Sequence, residues 1–357
     1  MSVVSPIRRV LIYRLGSLGD TVVALPCLHL IARQFPDAER RVLTNFPVHA
    51  KAPAAAAVLG ESGLVHGYMR YRVGTRRIDE LLRVAWEIRR FRPDLLVYMM
   101  PPRPGASVRR DKRFFQLAGV NRIVGLPVEG GATYRLDTAT GLYESEAHRL
   151  GRLIRELGDV NLSDRESWSL RLTDAERWTA ALALSGKPLI VCGPATKMQA
   201  KDWGRESWRE LLARLYRAYP EHELALVGAR EDAEVSEYSA QEWQGAKVNL
   251  CGRLSPRETA AVLERAEVFL GPDSGPMHLA ASVGVPCVIA FSARGLRGVW
   301  FPAGEGHEIV YHQPECAGCG LETCIVMERK CLRSISVDEM EQAARRVLPR
   351  RAVQAGD

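Results

Sequence analysis

The sequence predicts an α/β protein built as two similar halves, and three observations carry that reading. Apolar, β-like runs alternate with helical stretches along most of the chain. Two junctions, far apart in the chain, join an apolar run to a helical stretch through a tight turn rich in glycine or proline. The length of 357 residues exceeds one ordinary domain of ~100–200 residues.

In the first half the apolar runs are Val10–Tyr13, Arg41–Thr44, Leu95–Met99 and Arg122–Gly125. Helical spacing is read at Thr21–Gln34, Ile78–Arg90 and Arg110–Ala118. Pro26 falls inside the first of these and should kink it or end its first turns. A helix at Glu144–Leu157 runs into a polar stretch, 158–165, and the domain boundary is placed there, with a first domain of 1–160. The second domain, 161–335, repeats the pattern. Its strands are read at Pro188–Cys192, Glu223–Val227, Val268–Leu270 and Cys287–Ala290. Its helices are read at Trp208–Tyr219, Pro256–Arg265 and Met277–Val283. Residues 336–357 hold a final helix, Val337–Leu348.

The most informative stretch is Gly271-Pro-Asp-Ser-Gly-Pro-Met-His-Leu-Ala280. A strand, a tight turn and a helix start aim free backbone N–H groups outward, where an anion is bound. Asp273 and Ser274 suit the helix cap, and Pro276 suits the first turn. The competing reading is a well-capped turn of any α/β protein. The second junction is Leu15-Gly-Ser-Leu-Gly-Asp20, where Gly16 and Gly19 admit close backbone approach or positive φ. Asp20 reads either as a cap on the helix dipole or as a general base facing a cleft. The glycine spacing is not that of a dinucleotide fingerprint.

Composition excludes other classes. Hydrophobic residues are 46% and charged residues 25%, as in globular proteins. No run of 18 apolar residues occurs, so no membrane span is expected. The first residues do not resemble a signal peptide, and a cytoplasmic location is expected. The net charge of +7 draws on paired arginines such as Arg76-Arg77, Arg89-Arg90 and Arg109-Arg110, which read as solvated faces or as contacts to an anionic partner. No nucleic-acid module accompanies them, so nucleic acid is not expected.

Taken together, Arg14-Leu-Gly-Ser-Leu-Gly-Asp20 with Leu25-Pro26, and Asp273-Ser-Gly-Pro-Met-His-Leu-Ala-Ala281 with Gly284-Val-Pro286, resemble glycosyltransferase family 9. These are the heptosyltransferases of lipopolysaccharide core assembly and their relatives. Lys201-Asp-Trp203 with Trp208, the stretch Leu224 to Asp232, and Trp300-Phe-Pro302 extend the resemblance in the same order. It implies a GT-B architecture, two Rossmann-like domains facing across a cleft, with the final helix packing back on the first domain. It also implies an inverting transfer of a sugar, a heptose from ADP-heptose above all, to a hydroxyl of a glycan or lipid-linked saccharide.

The chemistry of such a transfer assigns roles. Negative charge develops on the leaving diphosphate and must be stabilised. The helix beginning near Ser274 would offer N–H groups from Gly275, Met277 and His278, Pro276 having none. Lys201 resembles the family's cleft lysine, with Lys197 as a rival, and Thr196 would donate a hydroxyl. Asp232, or Glu231 beside it, resembles the acid that meets the ribose. Asp20 would take the acceptor proton; Arg14 would balance a phosphate or orient Asp20, and Gly16, Ser17 and Gly19 stand with it on the acceptor or phosphate side. No cofactor is required in this scheme. The acceptor surface is placed around Phe46–Ala50 and Pro101–Arg113. A lipid-linked acceptor would draw the protein to the inner face of an anionic membrane.

Four of the eight cysteines, Cys27, Cys192, Cys251 and Cys287, read as buried small hydrophobes. The other four, Cys316, Cys319, Cys324 and Cys331, crowd into 16 residues and suit either a structural zinc or iron site or free thiols. Two other functions stay open: a transferase using another nucleotide sugar or a protein acceptor, and a non-catalytic nucleotide-sugar-binding protein.

Overall fold

The computed structural model describes residues 6–45, 55–72, 74–127, 133–325 and 327–348. The chain divides into two compact units, 1–171 and 172–357. The boundary falls later than the expected 160, because η-type turns at 155–157 and 165–168 stay with the first unit: Trp168 is buried there and Ser169 accepts from His29.

The first unit is built on strands β1 (Arg9–Tyr13), β2 (Glu39–Asn45), β3 (Gly67–Tyr71), β4 (Leu95–Tyr98) and β5 (Ile123–Val124). They form one parallel sheet in the order β3-β2-β1-β4-β5. A small antiparallel hairpin adds β6 (Leu136–Asp137) and β7 (Leu142–Tyr143). The helices are α1 (Leu18–Val22), α2 (Leu25–Gln34), α3 (Ala55–Leu59), α4 (Ile78–Phe91), α5 (Gly105–Leu117) and α6 (Glu146–Leu153). Parallel strands covered on both faces need continuous apolar runs, and β1 and β4 supply them. Leu11, Leu43, Leu96, Val84, Ile88 and Phe115 pack in one cluster. The helical pattern from Thr21 to Gln34 is cut in two, since Pro26 can occupy only the first turn of a helix. Strand β3 was not expected: its apolar character is confined to Tyr68, Met69 and Tyr71 at the sheet's edge.

The second unit carries β8 (Leu189–Cys192), β9 (Glu223–Leu226), β10 (Lys247–Asn249), β11 (Val268–Pro272), β12 (Cys287–Phe291) and β13 (Glu308–Tyr311). These too are all parallel, in the order β10-β9-β8-β11-β12-β13. Its helices are α7 (Asp174–Leu182), α8 (Arg205–Ala218), α9 (Ala233–Ser239), α10 (Pro256–Leu263), α11 (Gly275–Ser282), α12 (Lys330–Arg333) and α13 (Val337–Val347). Helices α7, α10 and α13 begin at Thr173, Ser255 and Ser336, each capping in a box with a glutamate three residues on. Strands β10 and β13 at the two edges were not expected, for they are short and half-exposed.

Trp203 and Trp208 meet edge to face at 4.8 Å inside the second core, and the Trp203 indole donates to the Ile335 carbonyl. The tryptophans of the Lys201-Asp-Trp203 motif region are thus structural. The final helix departs from expectation. Met340, Ala343 and Ala344 of α13 are buried in the core of the second unit, beside Trp203, Leu211 and Leu215. Arg214 of α8 also pairs with Asp338 and Glu341. The apolar stripe of α13 is therefore used on its own unit rather than on the first.

Trp208 is wholly buried, and its indole N–H has no hydrogen-bond partner. Its contribution is packing alone. Trp208→Ala should cost about 3–5 kcal/mol in urea unfolding. Trp208→Phe should cost markedly less, because no hydrogen bond is lost with the indole.

Candidate active site

In both sheets the strand order reverses beside the unit's first strand, between β1 and β4 and between β8 and β11. Loops leaving the carboxyl ends of such strands diverge and open a crevice where ligands bind. Asp20 follows β1, Thr196 and Lys201 follow β8, and Asp273 and Ser274 follow β11. Each unit thus gathers candidate site residues at its own reversal point.

In the first unit, Ser17 caps α1 and Asp20 is its third residue. The Asp20 Oδ2 accepts from the Ser17 backbone N–H at 2.8 Å and from its hydroxyl at 3.0 Å. Asp20 is therefore a capping carboxylate. Its Oδ1 stands 3.6 Å from Arg14 Nη2, and the side chain keeps 25% of its exposure, so the base reading survives beside the capping one. Gly16, at φ 138°, lies against Asp20: a Cβ there would sit 2.2 Å from the Asp20 Cβ. Only glycine lets the carboxylate take this position. The Gly16 N–H donates to Asn45 Oδ1 at the end of β2. Gly19 is buried within α1.

Arg14 is buried and its donors are used inside the unit. Nε and Nη2 donate to the Asp20 carbonyl, and Nη1 donates to the Met99 carbonyl and to Glu146 Oε1 at 2.8 Å. The side chain thereby ties the end of β1 to the end of β4. Glu146, fully buried at the start of α6, also accepts from Arg149 and from the Tyr134 hydroxyl. Burial would raise the Glu146 carboxyl, but hydrogen bonds from Arg149 and the Arg14 charge outweigh it and hold it below the ordinary carboxylate range. Sequence reasoning missed Glu146 and Arg149. The signal was there, an acid and an arginine three apart behind a Ser145 cap, but nothing in it pointed to Arg14, 132 positions away.

The acceptor surface expected around Pro101–Arg113 is partly inward. Arg103 and the Tyr98 hydroxyl both engage the buried Asp111. Burial raises the Tyr98 phenol. Phe46–Ala50 lies outside the described residues.

In the second unit, Ser274 caps α11 without using its hydroxyl. The Ser274 Oγ is buried with no partner, and so is the Oγ of Ser292, just beyond β12. An unmet hydroxyl costs ~1–3 kcal/mol, so its place at a helix N-terminus asks for an explanation. The helix also leaves the N–H groups of Ser274, Gly275 and Met277 without partners of its own. The His278 ring is buried, with the Trp300 ring 6.0 Å away. Met277 is fully buried.

Lys201 Nζ meets Asp273 Oδ2 at 2.9 Å, both largely buried. Asp273 thus anchors the lysine and does not cap the helix. One ammonium donor serves that bond, and two remain. Thr196 Oγ1 lies 3.4 Å from the Met198 N–H. Asp232 Oδ2 accepts from the Ala229 N–H at 2.7 Å, capping the turn after β9.

Cys27, Cys192, Cys251 and Cys287 are buried as expected, and burial pushes the Cys27 thiol up to about 12 and that of Cys251 up to about 11. Cys316, Cys319, Cys324 and Cys331 line one cavity of about 20 Å³ with Arg294, Arg329 and Lys330. The expected zinc or iron site is not supported: among the described residues, no group of three or more His, Cys, Asp or Glu side chains is arranged to hold a metal ion. The Cys324 sulfur instead accepts from the Arg329 N–H at 3.1 Å.

Two units, each a parallel sheet with candidate site residues at a strand-order reversal, define an α/β architecture of ligand-binding type, and comparison with known proteins gives the family. The model of glycosyltransferase family 9 (heptosyltransferase) matches residues 139–327, more than half of the chain, so the chain belongs to that family. It is 25% identical to lipopolysaccharide heptosyltransferase 1 of Pseudomonas aeruginosa over 321 residues, 88% of this chain and 87% of that one. It is 23% identical to lipooligosaccharide heptosyltransferase 2 of Campylobacter jejuni over 169 residues, 46% of this chain and 52% of that one, so it spans about half of that relative. Among solved structures, a family 9 glycosyl transferase from Veillonella parvula matches with a TM-score of 0.71 at 18% identity, over 95% of this chain and 97% of the other. E. coli heptosyltransferase WaaC with ADP matches with 0.65 at 17%, over 95% and 100%. The fold class is GT-B.

Replacing Glu146 by Gln should leave two buried arginines short of their counter-charge and lower stability by ~3–5 kcal/mol at neutral pH. In the native chain the Glu146 contribution is complete above the unfolded glutamate pKa of ~4.3 and is lost as pH falls through the lower folded value. Urea titrations across that range should show part of the native protein's acid slope missing from Glu146→Gln.

Proposed function

We propose that this glycosyltransferase moves a heptose from ADP-heptose to a hydroxyl of a glycan or lipid-linked saccharide, with inversion. The observation that carries this reading is the unpartnered Ser274 hydroxyl at the start of α11, beside free N–H groups. A buried donor set of this kind, at a strand-order reversal, fits a diphosphate. The E. coli relatives with ADP and with ADP-2-deoxy-2-fluoro heptose support the adenine donor.

In this scheme Asp20 accepts the proton of the acceptor hydroxyl as its oxygen bonds to the anomeric carbon. The bond from that carbon to the diphosphate oxygen breaks, and its electron pair leaves on ADP. The N–H groups of Ser274, Gly275 and Met277, the Ser274 hydroxyl and the Lys201 ammonium stabilise the departing charge. Asp273 holds Lys201 in place. Thr196 and His278 stand by as further donor contacts, and Asp232 meets the ribose. The scheme calls on no metal, because the helix N-terminus and the lysine carry the charge. No described helix is long and apolar enough to cross a membrane. We place the protein in the cytoplasm, peripheral to an anionic membrane that presents the acceptor.

Asp20→Asn should lower transfer by ~10²–10⁴-fold and leave ADP affinity unchanged in calorimetric titration. Near-normal turnover in Asp20→Asn would remove the base assignment. Titration with ADP, UDP and GDP should show selective binding of ADP. Preference for UDP or GDP would keep the fold and discard the heptose donor, and binding of none would point to a non-catalytic protein.

A further inference from the structure

Helix α4 has two faces, and only one is explained by the fold. Val84, Ile88 and Phe91 face the core. On the opposite side Ile78, Leu82 and Trp86 recur every four residues and are 58–73% exposed. At four-residue spacing they form a continuous stripe along a helix of ~21 Å. Leu117, at the end of α5, extends it. It is 74% exposed, and Arg89 of α4 donates to its carbonyl from both Nε and Nη2.

The charges of α4 and α5 together sum to positive: the three acids of α4 (Asp79, Glu80, Glu87) equal its three arginines, and α5 sets Arg109, Arg110, Lys112 and Arg113 against one acid. Arg83, Arg89 and Arg90 project from α4, and the Arg90 guanidinium stacks over the Trp86 ring at 5.4 Å. Helix α5 adds the exposed Arg109, Arg110 and Arg113. The one acid of α5, Asp111, is buried on Arg103 and Tyr98 and does not offset them. Glu87 is matched by Arg83, and the exposed Asp79, near the start of α4, by Arg77. A stripe of Trp, Leu and Ile bordered by arginines is the pattern of a helix lying in a lipid interface, apolar side chains among the acyl chains and guanidinium groups at the phosphates. A protein partner of ordinary composition would not call for the excess of basic side chains that α5 and the end of α4 present beside the stripe.

We propose that the exposed faces of α4 and α5 form a docking surface for an anionic lipid bilayer, with Leu82 and Trp86 as the inserted anchors and Arg89 and Arg90 as the headgroup contacts. This rests on the membrane-side placement proposed above. Its test is vesicle binding by the full chain without any sugar donor, so it fails separately from the transferase reading.

Flotation with phosphatidylglycerol–phosphatidylcholine vesicles should carry the native chain upward, and pure phosphatidylcholine vesicles should not. The double substitutions Leu82→Ser/Trp86→Ser and Arg89→Gln/Arg90→Gln should each lower the bound fraction about tenfold or more, with melting temperature and ADP binding unchanged. Equal binding to neutral and anionic vesicles, or undiminished binding by both variants, would overturn the proposal. So would a concentration-dependent dimer in light scattering that Leu82→Ser/Trp86→Ser abolishes, since that would assign the stripe to a second copy of the chain. Should either variant melt early, the effect of salt on the native chain decides. Loss of binding to anionic vesicles in high salt supports the lipid surface, and salt-insensitive binding refutes it.

Discussion

A parallel strand reaches its neighbour only through a crossover, so the direction of successive crossovers decides which loops are crowded and which are left apart. In both units the chain first winds outward from its opening strand, then returns to the other side of that strand and winds outward again. The loops after β1 and β4, and those after β8 and β11, consequently leave in opposite directions. Asp20, Lys201, Asp273 and Ser274 all sit at these two places. Had either sheet been wound in one direction only, the same residues would lie under the next connection.

The two units hold their reversal points in different ways. In the first, a buried charge cluster does the holding: Arg14 bridges the ends of β1 and β4, and Glu146 neutralises Arg14 and Arg149 together. Because its donors are taken by carbonyls and a carboxylate, Arg14 fixes the backbone of Asp20 and is not free to meet a phosphate. In the second, the charge pair is Lys201 with Asp273, on the two sides of the reversal, and the Ser274 hydroxyl beside it is left unmet. The contrast is physically informative. A cluster with every donor used rigidifies, whereas an orphan hydroxyl at a helix start leaves a donor unused.

The polar surface of the first unit follows a related division. Acids such as Asp111 and Glu146 are drawn inward to pair with arginines, while most arginines of α4 and α5 stay outside. The positive charge evident in the composition is thereby concentrated on the exterior, next to apolar side chains that the core does not use.

By itself the sequence determined the α/β class, the two-unit plan, both strand–turn–helix junctions and the break at Pro26. These are local matters: hydrophobic period, glycine spacing and proline geometry act within a few residues. It also carried the motif set that places the chain in its family. Only the tertiary structure decided that Asp20 both caps α1 and abuts Gly16, that Asp273 holds Lys201, and that Arg14 belongs to a buried cluster with Glu146. It likewise seated the final helix on the second unit and left the four clustered thiols without a metal-binding arrangement among the described residues. The Lys201–Asp273 pair, the Arg14–Glu146 cluster and the seat of the final helix each depend on a contact between residues far apart in the chain. A one-dimensional pattern carries no information on which of many arginines or carboxylates will meet. Burial then turns that pairing from optional to obligatory, since an unpaired charge in the core is too costly to keep.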